Sequence, residues 1–195
     1  EAIDKILAEH PLPKTESPRQ PQSYDIQLEH VSFAYDENAE KALDDVSLTV
    51  RQGTVTALVG ESGGGKSTIA NLIARFWDVQ EGTVNIGGVD VCDMDYGEWM
   101  KRVSIVCPDA TREEILRALH LAQCDDILEK LPDGVDTVIG TKGIYLSGGE
   151  MQRIALARAI LKDAPVILLD EATAFADAEN EYLIQKALDE LLRGK

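Results

Sequence analysis

Gly60-Glu61-Ser62-Gly63-Gly64-Gly65-Lys66-Ser67-Thr68 gathers four glycines, a lysine and three hydroxyls into nine residues. The spacing G-x-x-x-x-G-K-[ST] suits a loop that wraps phosphate. Glycines let backbone N–H groups close around phosphate oxygens where a Cβ would obstruct the approach. A helix beginning at Lys66 points the positive end of its dipole at the same place. In such a loop Lys66 reaches the β- and γ-phosphates, and the Ser67 hydroxyl is a ligand for Mg2+. The plain alternative is a glycine-rich turn between strand and helix. The apolar run before the loop and the helical pattern after it favour the phosphate reading.

Val166-Ile167-Leu168-Leu169-Asp170-Glu171 puts two carboxylates at the end of an apolar run. In doubly wound sheets that end is where ligands bind. Asp170 can hold the magnesium through water, opposite Ser67, and Glu171 is then placed to orient or deprotonate an attacking water. Alone, an acidic pair after such a run is a solvated strand end or a helix cap; coupled to a phosphate loop, the catalytic reading is the stronger. Leu146-Ser147-Gly148-Gly149-Glu150, followed by Met151-Gln152-Arg153, repeats the physics of the first loop. Ser147 stands at an N-cap, and two glycines expose N–H groups with a helix dipole behind them. A second anion site is implied, its nucleotide supplied by a partner chain. On local physics alone an ordinary capped helix is the simpler reading.

The elements that must position these residues can be read from periodicity. Ile26 to Phe33 alternates apolar and polar residues, with a break between Leu28 and Val31, and Val46, Leu48 and Val50 repeat the period of two. Both segments read as half-buried antiparallel strands. Thr54–Val59 reads as the strand that enters the glycine loop, and Lys66–Phe76 as the helix that leaves it. Thr83–Ile86 with Gly87-Gly88 reads as strand and turn, Val103–Val106 as a buried strand, and Thr111–Lys130 as a helical segment. Ser147–Leu161 is a helix, Val166–Leu169 a strand buried on both faces as in parallel sheets, and Glu179–Leu192 a final amphipathic helix.

The composition allows one sizeable domain in 195 residues, 44% of them hydrophobic and 28% charged. A net charge of -16 argues against a general nucleic-acid binder, because phosphate backbones require clustered Lys and Arg. A phosphate site here must build its positive potential locally. Cys92, Cys107 and Cys124 form no C-x-x-C pair, which suits a reduced compartment. Four of the seven prolines fall between Pro11 and Pro21, so this stretch reads as a linker. Glu1–His10 reads as the tail of a helix belonging to something longer.

The order of the G-x-x-x-x-G-K-[ST] loop, Leu146-Ser147-Gly148-Gly149 and Ile167-Leu168-Leu169-Asp170-Glu171 resembles the ATP-binding domains of ABC transporters. L-S-G-G is that family's distinguishing signature. The likeness is greatest to exporter-fold half-transporters, whose ATPase follows a transmembrane domain on the same parent chain, and it spans Tyr24 to Lys195. The resemblance implies an α/β fold: a P-loop NTPase core with a mostly parallel sheet, an N-terminal antiparallel β subdomain, and a helical subdomain near 109–145. Residues 1–23 are then the end of a connecting helix and a linker. ATP and Mg2+ are the implied ligands, and a second ABC ATP-binding domain, paired head to tail, the implied partner. Such a domain sits at the cytoplasmic face of a membrane. Ser147, Gly148, Gly149 and Glu150 would contact ATP held by the other domain. Tyr35 would stack on adenine, although its residue type alone reads as a surface aromatic at a strand end. Asp177 falls at the position of the family's D-loop aspartate. The wording of Asp170–Asn180 is similar to exporter-fold transporters linked to iron-siderophore uptake.

Two family elements are missing. No glutamine follows Val103–Val106, where Val106-Cys107-Pro108-Asp109-Ala110 runs straight into the Thr111 helix and an intervening segment is absent. None of His10, His30 and His120 follows Asp170, so none can be the family's switch histidine. Thr141 stands where exporters often carry a glutamate. The resemblance therefore implies ATP hydrolysis for the complete protein and leaves hydrolysis by this chain alone open. The rival reading is a nucleotide-binding module in which ATP only holds two domains together. An ABC ATPase of the DNA-repair or translation type is a further alternative.

Overall fold

The computed structural model describes residues 12–36, 39–103, 110–140, 143–170 and 178–193 and divides into two units, Glu1–Met100 and Lys101–Lys195. In the first unit the alternating residues form β1 (Ile26–Phe33) and β2 (Leu43–Val50), joined by β3 (Glu81–Ile86) and β4 (Val89–Asp90). The sheet order is β2-β1-β3-β4, antiparallel at every pairing. The break in the β1 period is a bulge: His30 has φ 51, its neighbour across the ladder Asp45 also has φ 51, and the register shifts between Leu28 and Val31. The extra residue returns Val31 and Phe33 to the buried side beside Leu28, Val84 and Ile86.

Helix α1 (Lys66–Ile73) buries Ile69, Leu72 and Ile73. It ends at Arg75, a buried arginine with φ 57. The Arg75 guanidinium donates to Asp78 Oδ1 at 3.0 Å, to the Met94 carbonyl at 3.2 Å and to the Pro13 carbonyl at 3.0 Å. A short 3-10 turn, Val91–Asp93, leads to α2 (Tyr96–Arg102), whose buried Trp99 donates from its indole to the Ile73 carbonyl at 3.0 Å. The proline-rich stretch lies along this unit as a strap: besides Pro13, the Arg19 N–H donates to the Asp93 carbonyl at 2.9 Å.

The second unit is helical: α3 (Arg112–Leu121), α4 (Asp125–Lys130), a 3-10 turn Gly134–Asp136, α5 (Gly148–Lys162) and α6 (Ala178–Leu191). The Thr111–Lys130 segment is two helices because Gln123 takes φ 59 and turns the chain between them. Leu119, Ile127, Leu156, Ile184 and Leu191 meet in its core. Two segments read as strands take another form. Among the described residues Thr54–Val59 joins no ladder, and it is exposed, Val59 at 94%. In Val166–Leu169 the one pairing among the described residues is a parallel bridge from Val166 to Val103, and Leu169 is exposed. A central parallel strand needs a neighbour along its length. Residues 104–109, which follow Val103, lie outside the described residues.

Candidate nucleotide site

Gly65 is the N-cap of α1 with φ 78, a conformation that suits glycine. A Cβ there would lie 2.5 Å from Leu43 Cδ2 and 2.7 Å from the Ala42 carbonyl oxygen, so the loop passes directly over the start of β2. No side chain caps α1, and no acidic residue stands in its first turn. The first N–H groups of a helix have no intrahelical acceptor. Helices α3 and α5 show the usual remedy: each has a capping box, Thr111 with Glu114 and Ser147 with Glu150. At α1 no side chain among the described residues caps those N–H groups, and an anion is what the helix dipole favours there.

Lys66 Nζ donates to the Gly60 carbonyl at 3.0 Å and to the Glu61 carbonyl at 2.6 Å. The ammonium is thus held over the loop it follows. Gly64 N–H donates to the Glu61 carbonyl at 3.1 Å, which closes the turn. Gly60, Ser62, Gly63 and Ser67 are exposed, whereas Thr68 is buried. Thr68 Oγ1 and the Tyr35 hydroxyl share a hydrogen bond of 3.0 Å, so the structure brings Tyr35 to the phosphate loop across 33 residues of chain. Ser67 presents a hydroxyl on the exposed side of the first turn, a hard oxygen of the type Mg2+ selects.

In the second unit, Ser147 Oγ accepts from the Glu150 N–H at 3.2 Å, and Glu150 Oε2 accepts from the Ser147 N–H at 2.8 Å. The bond from the Ser147 N–H, the largest cause, holds the Glu150 carboxyl below its ordinary range. Ser147, Gly148, Gly149 and Glu150 therefore form a helix start with its own carboxylate cap. Gly149 is buried, and a Cβ there would meet Asn180 Cβ and Cγ at 2.6 Å, which draws the start of α6 against the start of α5. Asp170 is exposed at the end of the Val166 run. Glu171 and Asp177 lie outside the described residues, as do Cys107 and Thr141. Cys92 and Cys124 are free thiols, both pushed up to about 12 by burial.

Several contacts around the site carry little sequence signal. Leu43 and Ala42 beneath Gly65, and Asn180 beneath Gly149, could not be found from a motif. Phe76-Trp77 could have been flagged as an aromatic pair just beyond α1, and Trp77 does pack on Tyr35, with ring centroids 5.2 Å apart and planes at 88°.

Comparison with known proteins gives the family. Residues 43–174 match the sequence model of the family described as ABC transporter. The chain is 44% identical over 215 positions to a mycobactin import ATP-binding/permease protein, IrtA, of Mycobacterium tuberculosis, covering 99% of this chain and 25% of that protein. An ATP-dependent lipid A-core flippase of Legionella pneumophila is 40% identical over 189 residues, 88% of this chain and 32% of the flippase. Among solved structures, a bacterial Atm1-family ABC exporter with ATP bound superposes with a TM-score of 0.86 and 30% identity, over 98% of this chain and 37% of that one. The chain thus spans about a quarter to a third of the length of these relatives, and no helix among the described residues is long and apolar enough to cross a membrane. The glycine loop with its uncapped helix, the Ser147 helix start and the family match together place this chain in the ABC transporter family, as one of its ATP-binding domains.

Proposed function

We propose that this chain binds and hydrolyses ATP to drive a transmembrane partner domain on the same parent chain, at the cytoplasmic face of a membrane. It would work as a head-to-tail pair with a second ABC ATP-binding domain. Residues 1–23 serve as the connection, and 24–195 as the domain, with its helical part near 109–145. The relatives named for mycobactin import and for lipid A-core flipping share this domain, so the proposal concerns the driving step and not the cargo.

The observation that carries it is the uncapped start of α1 at Gly65, next to an ammonium already seated on the loop. Triphosphate supplies the acceptors that α1 lacks, while Lys66 exchanges loop carbonyls for β- and γ-phosphate oxygens. Gly60, Glu61, Ser62, Gly63, Gly64, Gly65 and Thr68 line the cradle, and Tyr35 stacks on the base. Ser67 and Asp170 would hold Mg2+, which supplies charge neutralisation on the phosphates. Glu171 orients a water whose oxygen attacks the γ-phosphorus as the bond to the β,γ-bridging oxygen breaks. ADP and inorganic phosphate leave, and the proton of the water passes to solvent through the carboxylate. Catalysis of this kind is mostly positioning and electrostatics. Ser147, Gly148, Gly149 and Glu150 would close the site of the partner domain, and Asp177 is a further nucleotide-contacting residue in this reading. The Ser147 oxygen accepts from Glu150, which leaves its hydroxyl hydrogen for a phosphate.

Calorimetric titration of the full-length protein with Mg-ATP tests the reading. Lys66→Ala should weaken binding by at least about tenfold, the loss of one charge-assisted bond. Unchanged affinity would remove the phosphate-loop assignment.

A further inference from the structure

Tyr35 is half exposed, at 50%, yet its setting is fixed on several sides. Its ring lies at 85° to Phe33, with centroids 5.0 Å apart, and at 88° to Trp77, with centroids 5.2 Å apart. Its hydroxyl is tied to Thr68 in the first turn of α1. The backbone just before it is tied as well. The Ala34 N–H donates to Gln80 Oε1 at 2.7 Å, and Gln80 Nε2 donates to the Ala34 carbonyl at 2.7 Å.

That second arrangement is unusual in form. The β1–β3 ladder ends at Ser32 paired with Glu81. Gln80 then uses its side-chain amide, a peptide-like group with one donor and one acceptor facing Ala34, to bind the residue beyond the strand end. A carboxylate could accept from Ala34 but not donate, and an aliphatic chain could do neither. Without the clasp, the Ala34–Tyr35 backbone would be an unpaired strand end.

We propose that Gln80 and Trp77 are positioning residues for the Tyr35 base shelf, setting its backbone and its ring plane before the nucleotide arrives. This inference rests on the reading of Tyr35 as the residue that stacks on adenine. A pre-set aromatic surface loses less freedom on binding than a mobile one, so the gain falls on the base and not on the phosphates. The phosphate loop keeps its own bonds from Lys66 and Gly64, in which neither Gln80 nor Trp77 takes part.

The test compares Mg-ATP with inorganic tripolyphosphate by calorimetry on the full-length protein, because tripolyphosphate engages the loop and has no base. Tyr35→Ala should weaken ATP about tenfold or more, the range of base stacking on an aromatic. Gln80→Ala and Trp77→Leu should each weaken ATP about threefold to tenfold, while Trp77→Phe, which retains an edge contact, should recover most of the affinity. Tripolyphosphate binding should stay within about twofold in Gln80→Ala and Trp77→Leu, since neither side chain bonds to the loop. If Tyr35→Ala weakens ATP but Gln80→Ala and Trp77→Leu do not, the positioning role is overturned and the base shelf stands. If Tyr35→Ala itself leaves ATP unaffected, the base-shelf reading falls and the positioning role with it. A parallel loss of ATP and tripolyphosphate would mean general structural support, which also overturns the proposal. Should Trp77→Leu fail to fold, Gln80→Ala, at an exposed side chain, carries the same comparison.

Discussion

Arg153, almost wholly buried in α5, grips both oxygens of Asp126 in α4, NH1 to Oδ1 at 2.6 Å and NH2 to Oδ2 at 3.0 Å. The same guanidinium donates to the Gln123 carbonyl at the turn between α3 and α4. One side chain therefore fastens three helices behind the Ser147 helix start. Bidentate pairing of this type is strong because both bonds are charge-assisted and the geometry is fixed.

Removal of one partner leaves the other charge without compensation. Asp126→Ala should lower the stability of the second unit by about 2–3 kcal/mol, below the range for a fully buried pair because Asp126 is 44% exposed. Denaturant unfolding followed by circular dichroism gives the value. A loss under about 0.5 kcal/mol, typical of a surface pair, would contradict the role assigned to Arg153.

Acid should attack the same unit. The Arg153 guanidinium holds the Asp126 carboxyl below its usual 3.8, and the Ser147 backbone holds Glu150 below its usual 4.5. Folded values lower than unfolded ones mean that these groups contribute full stability above the unfolded values. The contribution is lost as pH falls through the folded ones. Melting temperature should be flat from about pH 7 to pH 5 with respect to these groups and should fall below pH 4.5. In Glu150→Gln the acid-dependent part of that fall should shrink, which differential scanning calorimetry can resolve.

Gly65→Ala adds a Cβ where the backbone has φ 78 and the Ala42 carbonyl oxygen would lie 2.7 Å away. The substitution should cost about 1–3 kcal/mol and should reduce Mg-ATP binding more than Gly63→Ala, where a Cβ would meet nothing within 4 Å. Equal losses in the two variants would show that φ alone, and not the approach to β2, restricts the loop.

Glu171→Gln removes a base or water-orienting group that matters in the transition state more than in the ground state. In the full-length protein, ATP affinity should stay within about threefold while turnover falls by about a hundredfold or more. Steady-state phosphate release beside equilibrium binding separates the two effects. Near-normal turnover would move the catalytic role to another residue.

The chain taken alone should be a weak nucleotide binder, mainly monomeric with ATP, and without meaningful turnover, because the glutamine after Val106 is missing. Phosphate release at saturating Mg-ATP, with mass measured in solution, checks this. Robust turnover that Ser147→Arg abolishes would show that the gaps are tolerated; turnover indifferent to Ser147→Arg would break the link between that helix start and catalysis.

Motif spacing made the phosphate loop legible because Gly65, Lys66 and Ser67 act through local backbone geometry, which sequence encodes directly. The helices from Gly148 and Ala178 were legible for the same reason, through caps and apolar period. What escaped was tertiary. Tyr35 and Thr68 meet across 33 residues of chain, and Gln80 reaches Ala34 across 46. The Thr54–Val59 and Val166–Leu169 runs are apolar enough for strands, yet a ladder depends on partners that composition cannot supply. The Leu28–Val31 break was visible, but only the paired positive φ values at His30 and Asp45 explain it.

Arg75 gives the strap a mechanical meaning. The Pro13 carbonyl is held by a buried guanidinium at the foot of α1. An eight-residue helix is about 12 Å long and stiff on that scale. Its far end carries Gly65 and Lys66. The strap and the phosphate loop thus stand at opposite ends of one short helix, whose foot is also braced by Trp99 on the Ile73 carbonyl.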